Sequence, residues 1–369
     1  MAGAAGVAGL LALAAGTLCL TSGCSSIGYL SQSVAGHLSV LNSARPVADW
    51  LNEPTTAEPV KAKLALTQRI RDFAVSELHL PDNRSYRSYA DLHRTAAVWN
   101  VAAAPELSLK LQTWCYPVVG CVGYRGYYDE GAANAEGEAL RAQGLEVTVY
   151  PVPAYSTLGK MEWLGGDPLL NTFIQWHEAE LARLIFHELA HQVAYAEGDT
   201  AFNESFATAV ERLGGDRWLD AHGSDAMRAQ VRQVEQRRQG FRQLTQATRA
   251  ALDALYRSEL DESTKRERKA QLMAQMRADH ARLKAEAWNG YAGYDAFFSN
   301  ANNASLSMQG AYLDGVPAFV ALFEREGRDF PRFYAAVQRL AALPRAERDA
   351  ALHNLSPAAE AATSRPLGH

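Results

Sequence analysis

Between positions 186 and 192 the chain reads Phe186-His187-Glu188-Leu189-Ala190-His191-Gln192, its most chemically specific string. Two histidines four apart on a helix of 3.6 residues per turn lie one above the other on a single face. Their imidazoles can then reach one ion, at roughly 2.0–2.1 Å each if that ion is zinc. Glu188 stands beside such an ion, where a carboxylate can take a proton from activated water. A catalytic zinc needs a third protein ligand and an open fourth position. Glu204, in Phe202-Asn203-Glu204-Ser205-Phe206-Ala207, follows His191 after twelve intervening residues, room for a loop and a returning helix. The set predicts metal-assisted hydrolysis, with His187, His191 and Glu204 holding one zinc ion and Glu188 as general base and then acid. Without a metal, four polar groups would be buried at high cost. A structural zinc would ordinarily have four protein ligands, often cysteines. An inactive relative that keeps its metal is a further alternative, against which the intact Glu188 speaks.

The elements that must position these residues follow from apolar spacing. Leu181, Leu184, Ile185, Phe186 and Val193 surround the motif, so residues 168–196 are predicted helical around it. A loop with Gly198 and Asp199 leads to a second helix over 203–213, closed by Gly214-Gly215. Upstream, Leu66, Ile70, Phe73, Ala74 and Leu78 predict a helix over 60–80, ended at Pro81-Asp82-Asn83. Runs rich in valine and aromatics at 96–103, 109–115 and 121–128 read as strands of a small antiparallel sheet. A helix at 130–143 and a strand at 145–154 follow. Residues 222–290 are charge-rich and free of proline, with a turn at 258–264, and predict a long helical hairpin: an arm, a lid or a solvated structural element. A further helical stretch spans 315–342. The fold class is α+β: a small mixed or antiparallel sheet packed on the active-site helix, and a mostly helical C-terminal half. The catalytic core is assigned to 58–221, the hairpin insertion to 222–290, the C-terminal helical part of the same domain to 291–354 and a disordered tail to 355–369.

Composition narrows the partners. At 369 residues and 48% hydrophobic, the chain can bury a sizeable core. A net charge of -5 without any basic block argues against nucleic acid. No glycine pattern in a strand-to-helix context suggests a nucleotide cofactor. Residues 1–23 carry no Asp, Glu, Lys or Arg and run into Leu20-Thr21-Ser22-Gly23-Cys24. A membrane-spanning helix needs roughly 20 apolar residues, and alanine and glycine make this run only weakly hydrophobic. Small residues before a cysteine resemble the lipobox of bacterial lipoproteins, which are cut before the cysteine and acylated on its thiol. That resemblance implies a signal peptide over 1–23 and a lipid on Cys24; residues 24–57, punctuated by Pro46 and Pro54, read as a tether and entry segment. The resemblance also implies a place in the cell envelope, and Ser25, in the place of a retention aspartate, favours the outer membrane facing the periplasm. The basic n-region usual for a signal is missing, so an uncleaved anchor and an upstream start stay open. In an oxidising compartment Cys115 and Cys121, six apart around Pro117 and Gly120, can close a short-loop disulfide. Two separate buried thiols are the alternative.

His-Glu-Leu-Ala-His-Gln followed by Asn-Glu-x-Phe-Ala resembles the gluzincin peptidases, including zinc aminopeptidases, in which the second motif's glutamate is the third ligand. The resemblance implies a zincin-like fold and a peptide substrate. More of the chain resembles a proteobacterial family of zinc aminopeptidase lipoproteins. The shared pieces are Cys24 through Gly36, Tyr124-Arg125-Gly126-Tyr127, Pro153 through Gly159, both metal motifs, Asn302-Asn303-Ala304, Tyr312 and Pro317. Gly159-Lys160-Met161-Glu162-Trp163 is similar to the aminopeptidase string that captures a substrate's N-terminal amine, with Trp163 in place of its asparagine; this makes Glu162 the candidate amine binder. Attack on a peptide carbonyl builds an oxyanion that needs a further donor, and Tyr155 and Tyr312 are the candidates, ordinary packing being the alternative for each. Glu211, seven after Glu204, and Asp199 are candidates for orienting a ligand histidine. Three functions compete: a zinc aminopeptidase; a zinc endopeptidase or other amide hydrolase on the same core; and a non-catalytic envelope lipoprotein that binds a partner through its hairpin.

Overall fold

Residues with helical and strand spacing alternate along the chain, and the elements follow them. The computed structural model describes residues 24–116, 120–154, 166–309 and 315–355, and within them the fold is α+β with small sheets. Helix α1 (Cys24–Ser43) leads through β1 (Arg45–Pro46) and α2 (Val47–Asn52) to α3 (Glu58–Ser76). Strands β2 (Ser88–Ala90), β3 (Val98–Pro105), β4 (Trp114–Tyr116), β5 (Gly120–Val122) and β6 (Arg125–Tyr127) come next. They are followed by α4 (Glu130–Arg141), β7 (Leu145–Val152) and β8 (Leu169–Leu170). The rest is helical: α5 (Glu178–Ala190), α6 (Thr200–His222), α7 (Asp225–Arg257), α8 (Glu262–Glu286), α9 (Asp295–Asn300) and α10 (Asn303–Met308). Helices α11 (Val316–Arg325), α12 (Phe330–Ala341) and α13 (Arg345–Leu355) complete it.

Strand β3 lies antiparallel between β6 and β7, while β2 pairs antiparallel with β1 and parallel with β8. In the β4–β5 ribbon Cys115 faces Cys121, and the two are bonded as a disulfide. Alternation along β3 sends Trp99, Val101 and Ala103 to one face, where they pack with Ala133 and Leu140 of α4 and Val147 of β7. The main core joins α3, α5, α6, α11 and α12 through Ile70, Phe73, Ile185, Phe186, Phe206, Phe319 and Phe333. Tyr89, Ala90, Leu169 and Leu170 bring the β1–β2–β8 sheet into the same core. Each such side chain, fully buried, stabilises the fold by about 1.5–3 kcal/mol.

Four segments differ from the expectation. Within the expected tether and entry segment, 24–57, helix α1 forms and docks on the edge strand β6. The hydroxyl of Tyr29 accepts the N–H of Gly126 at 3.2 Å, and Gln32 Nε2 donates to the Gly126 carbonyl at 3.1 Å, satisfying groups that an edge leaves open. The segment before the motif is not helical from 168: β8 and a turn precede α5, which starts at Glu178. Helix α6 does not stop at Gly214-Gly215 but runs on to His222. The glycines are there for proximity. A Cβ at 214 would lie 2.7 Å from Leu78 Cδ1 and 3.0 Å from Phe186 Cδ2, and one at 215 would lie 2.8 Å from Arg183 Cγ. Within the expected 315–342 stretch, Gly327 (φ 75°) and Arg328 (φ 58°) turn the chain between α11 and α12.

The expected hairpin is α7 and α8, and it is anchored rather than solvated along its length. Buried Lys269 of α8 pairs with Glu146 of β7 and donates to the Glu106 carbonyl at 2.8 Å. Asn303 Nδ2 donates to the same carbonyl at 2.7 Å, and Tyr256 of α7 donates to Asn303 Oδ1 at 2.9 Å. At the other end Arg238 of α7 pairs with Glu180 of α5. Because α5 and α6 touch through glycine, replacing Gly214 with valine forces overpacking, which costs typically 1–3 kcal/mol. A lowered urea midpoint with an unchanged slope is the expected result for Gly214→Val.

Candidate metal centre

Helix α5 buries Leu181, Ala182, Ile185, Phe186, Leu189 and Ala190, which leaves His187 and Glu188 half-buried on its remaining arc. His191 is the C-cap residue, still in right-handed helical conformation (φ -58°, ψ -21°), so it keeps the one-turn spacing from His187. The loop to α6 is short, and two buried side chains fix its course. Asn203 closes a double hydrogen bond on Ala196, its Oδ1 accepting from the backbone N–H at 2.8 Å and its Nδ2 donating to the carbonyl at 2.9 Å. Asp199 caps α6 by accepting from the Phe202 N–H at 3.1 Å. With the loop held at both places, the next residue, Glu204, faces the two imidazoles.

The geometry is one that can hold a metal ion. Glu204 Oε2 lies 3.4 Å from His187 Nε2, and Glu204 Oε1 lies 3.8 Å from His191 Nε2. One ligand atom from each of the three residues lies within 4.8 Å of the others. Ligand atoms about 2.0–2.1 Å from a tetrahedral centre are about 3.3–3.4 Å apart, so the three need only a small inward adjustment. His187 Nδ1 lies 3.2 Å from Glu211 Oε2. A carboxylate only accepts, so Nδ1 carries the proton and Nε2 is the nitrogen available to an ion.

The electrostatics point to a cation as well. Burial by itself would lower the pKa of His187, but hydrogen bonds to Glu204 and Glu211, together with the charge of Glu188, raise it to about 10. A proton on His187 thus supplies the positive charge that the surrounding carboxylates call for. Burial, and then the charge on His187, push His191 down to about 4, so this imidazole is neutral with a lone pair to offer. Its Nδ1 is buried and has no hydrogen-bond partner among the described residues. Burial opposes the charges of Glu204 and Glu211, yet the histidines beside Glu204 and His187 beside Glu211 hold both pKa values below the ordinary carboxylate value. Two neutral-capable imidazoles and an ionised carboxylate form a donor set that suits zinc.

Of the other residues singled out from the sequence, Glu211 meets His187 as expected, whereas Asp199 does not reach a ligand histidine. Its second oxygen is taken by Arg348 of α13, at 2.8 Å from Nη2 and 2.9 Å from Nε, so its two oxygens serve the helix cap and this ion pair. Tyr155, Glu162 and Tyr312 lie outside the described residues, as do residues 1–23 and 356–369. Cys24 is the first residue of α1. Two residues in the site's surroundings had been noticed only as parts of longer strings. Asn203 is one. Tyr124 is the other: burial first, then Tyr150 and the Glu204 charge, raise its pKa to about 12, so the phenol beside the site stays protonated. Its Tyr-Arg-Gly-Tyr string was the available signal, but only the fold reveals that it approaches Glu204.

These features define an α+β protein with a two-histidine, one-carboxylate site shared by adjacent helices. The chain belongs to the family described as "putative aminopeptidase", whose model matches residues 28–352 and whose description points to peptidase activity. Neither the curated proteins nor the solved structures compared with the chain include a match. Removing the partner of a ligand histidine typically costs 10–100-fold in metal affinity. Glu211→Ala is accordingly expected to raise the zinc dissociation constant by roughly that factor, measured by competition with a chromophoric chelator.

Proposed function

We propose that the chain is a zinc-dependent aminopeptidase in which His187, His191 and Glu204 hold the ion. The reading rests on one observation above all: the three ligand atoms lie within 4.8 Å of one another, with Glu188 on the same helix next to His187. Zinc, when bound, would supply a Lewis acid for the scissile carbonyl and lower the pKa of water. Glu188 takes the proton of the attacking water and passes it to the leaving nitrogen, a role worth about 10²–10⁴-fold in rate. Glu211 fixes the tautomer and ring plane of His187. Among the described residues, Tyr124 and Tyr195 are tyrosines whose pKa the Glu204 charge raises; Tyr155 and Tyr312 are assigned to oxyanion support and Glu162 to the substrate's amine from sequence alone. The proposal extends to location: a lipid on Cys24, the bacterial outer membrane, and the periplasm as the compartment of the substrate peptides, with the Cys115–Cys121 disulfide supporting an oxidising setting.

Glu188→Gln keeps every ligand and removes the proton acceptor. It is expected to bind one zinc per chain, as the unaltered protein does, while the turnover number falls by about 10²–10⁴. Full activity in this variant would remove Glu188 from the mechanism. Aminoacyl-naphthylamides should be cleaved and N-blocked peptides left intact, and chelation should abolish turnover until zinc is restored. Cleavage of the blocked peptides would instead support the endopeptidase reading.

A further inference from the structure

Residues 1–44 contain no Asp, Glu, Lys or Arg; the first charge in the chain is Arg45. The second half of this stretch is α1, and α1 has two unlike faces. The inner face is bound to the protein: Tyr29 and Gln32 hydrogen-bond to Gly126, Val40 is buried, and Gly36 sits where a Cβ would lie 2.2 Å from the ring of Tyr128. On the outer face Val34 is 59% and Leu38 41% exposed, one turn apart, with exposed Ala35 and Ser39 beside them. Among the described residues only two other large hydrophobic side chains, Tyr195 and Tyr291, are comparably exposed, and both carry a hydroxyl. Toward its C-terminus the outer face turns polar at Asn42 and Ser43. At the other end, α1 begins where the uncharged run of residues 1–23 ends.

We propose that the outer face of α1 rests on a lipid surface, with Val34 and Leu38 at the boundary between headgroups and acyl chains. Apolar side chains without neighbouring charge gain by leaving water, and a bilayer interface asks for no complementary polar groups in return. From Val34 to Ser43 the face turns polar at Ser39, Asn42 and Ser43, so Val34 sits deeper and the Asn42 end lies toward water. Lying on the surface is the arrangement open to this helix, because its inner face belongs to the protein. No helix among the described residues is long and apolar enough to cross a membrane. Docking through Tyr29 and Gln32 leaves no loose joint between α1 and β6, so the lipid surface would orient the whole body. The inference is independent of the metal site.

The test uses the full chain with Cys19→Ser and Cys24→Ser, so that no lipid can attach, and with Leu38→Cys carrying an NBD fluorophore. The Cys115–Cys121 disulfide leaves the new thiol as the one that reacts. On vesicles of phosphatidylethanolamine and phosphatidylglycerol, the emission should shift to the blue and be quenched by nitroxide-labelled lipid. Protein that floats with the vesicles while its label keeps the emission seen in water overturns the proposal. So does a failure to float. A blue shift that nitroxide lipid does not quench, and that grows with protein concentration, overturns it in favour of contact with a second copy.

Discussion

The site depends on how closely α5 and α6 approach each other. Two imidazoles on one helix and a carboxylate on the next converge only if the two helices pack directly against each other. Gly214 and Gly215 serve that packing by lying against Phe186 and Arg183, and the resulting contact is the broadest between helices among the described residues. Leu78, beyond the end of α3, fills the space over Gly214, so the pair is clamped from outside as well. The Asn203 ring on Ala196 then sets the register, since a slip of one residue along α6 would turn position 204 by about 100° away from the histidines.

The second constraint is charge. Glu188, Glu204 and Glu211 crowd around His187, and Arg238 of α7 with Arg183 of α5 offsets part of their charge from behind. A cluster of this kind is costly to bury unless a cation completes it. In the metal-free protein the proton on His187 completes it; a divalent ion would displace that proton and take over the same role. Arg238 comes from the hairpin, and through its pairing with Glu180 the hairpin helps to define the field at the site.

Much of this was legible in residue spacing. The His187–His191 interval, the apolar arc around it and the proline-free hairpin are local patterns, and local patterns survive translation into structure. The glycine pair misled because a glycine has two uses, as a stop and as a place of close approach, and only the neighbour decides between them. Asp199 misled for a similar reason: a carboxylate between two ligand motifs could orient a histidine, but its partner is an arginine 149 positions away. Residues 24–57 read as a tether and entry segment because the uncharged, mostly small residues up to 44 carry no strong period and prolines punctuate the rest. The docking of α1 is written instead in Gln32 and Tyr29, whose partners on β6 are 94 and 97 positions downstream.

The ion pair between Asp199 and Arg348 has its own consequence. Both side chains are nearly sealed from water, 4% and 5% exposed, and the arginine belongs to the last described helix. Until position 348 has been synthesised, the carboxylate that caps α6 has no countercharge, and an uncompensated buried charge is strongly destabilising. The loop between the two ligand-bearing helices therefore reaches its final form only when nearly the whole chain is present. Order of synthesis thereby matters: a nascent or prematurely ended chain lacks the countercharge that holds this loop in place.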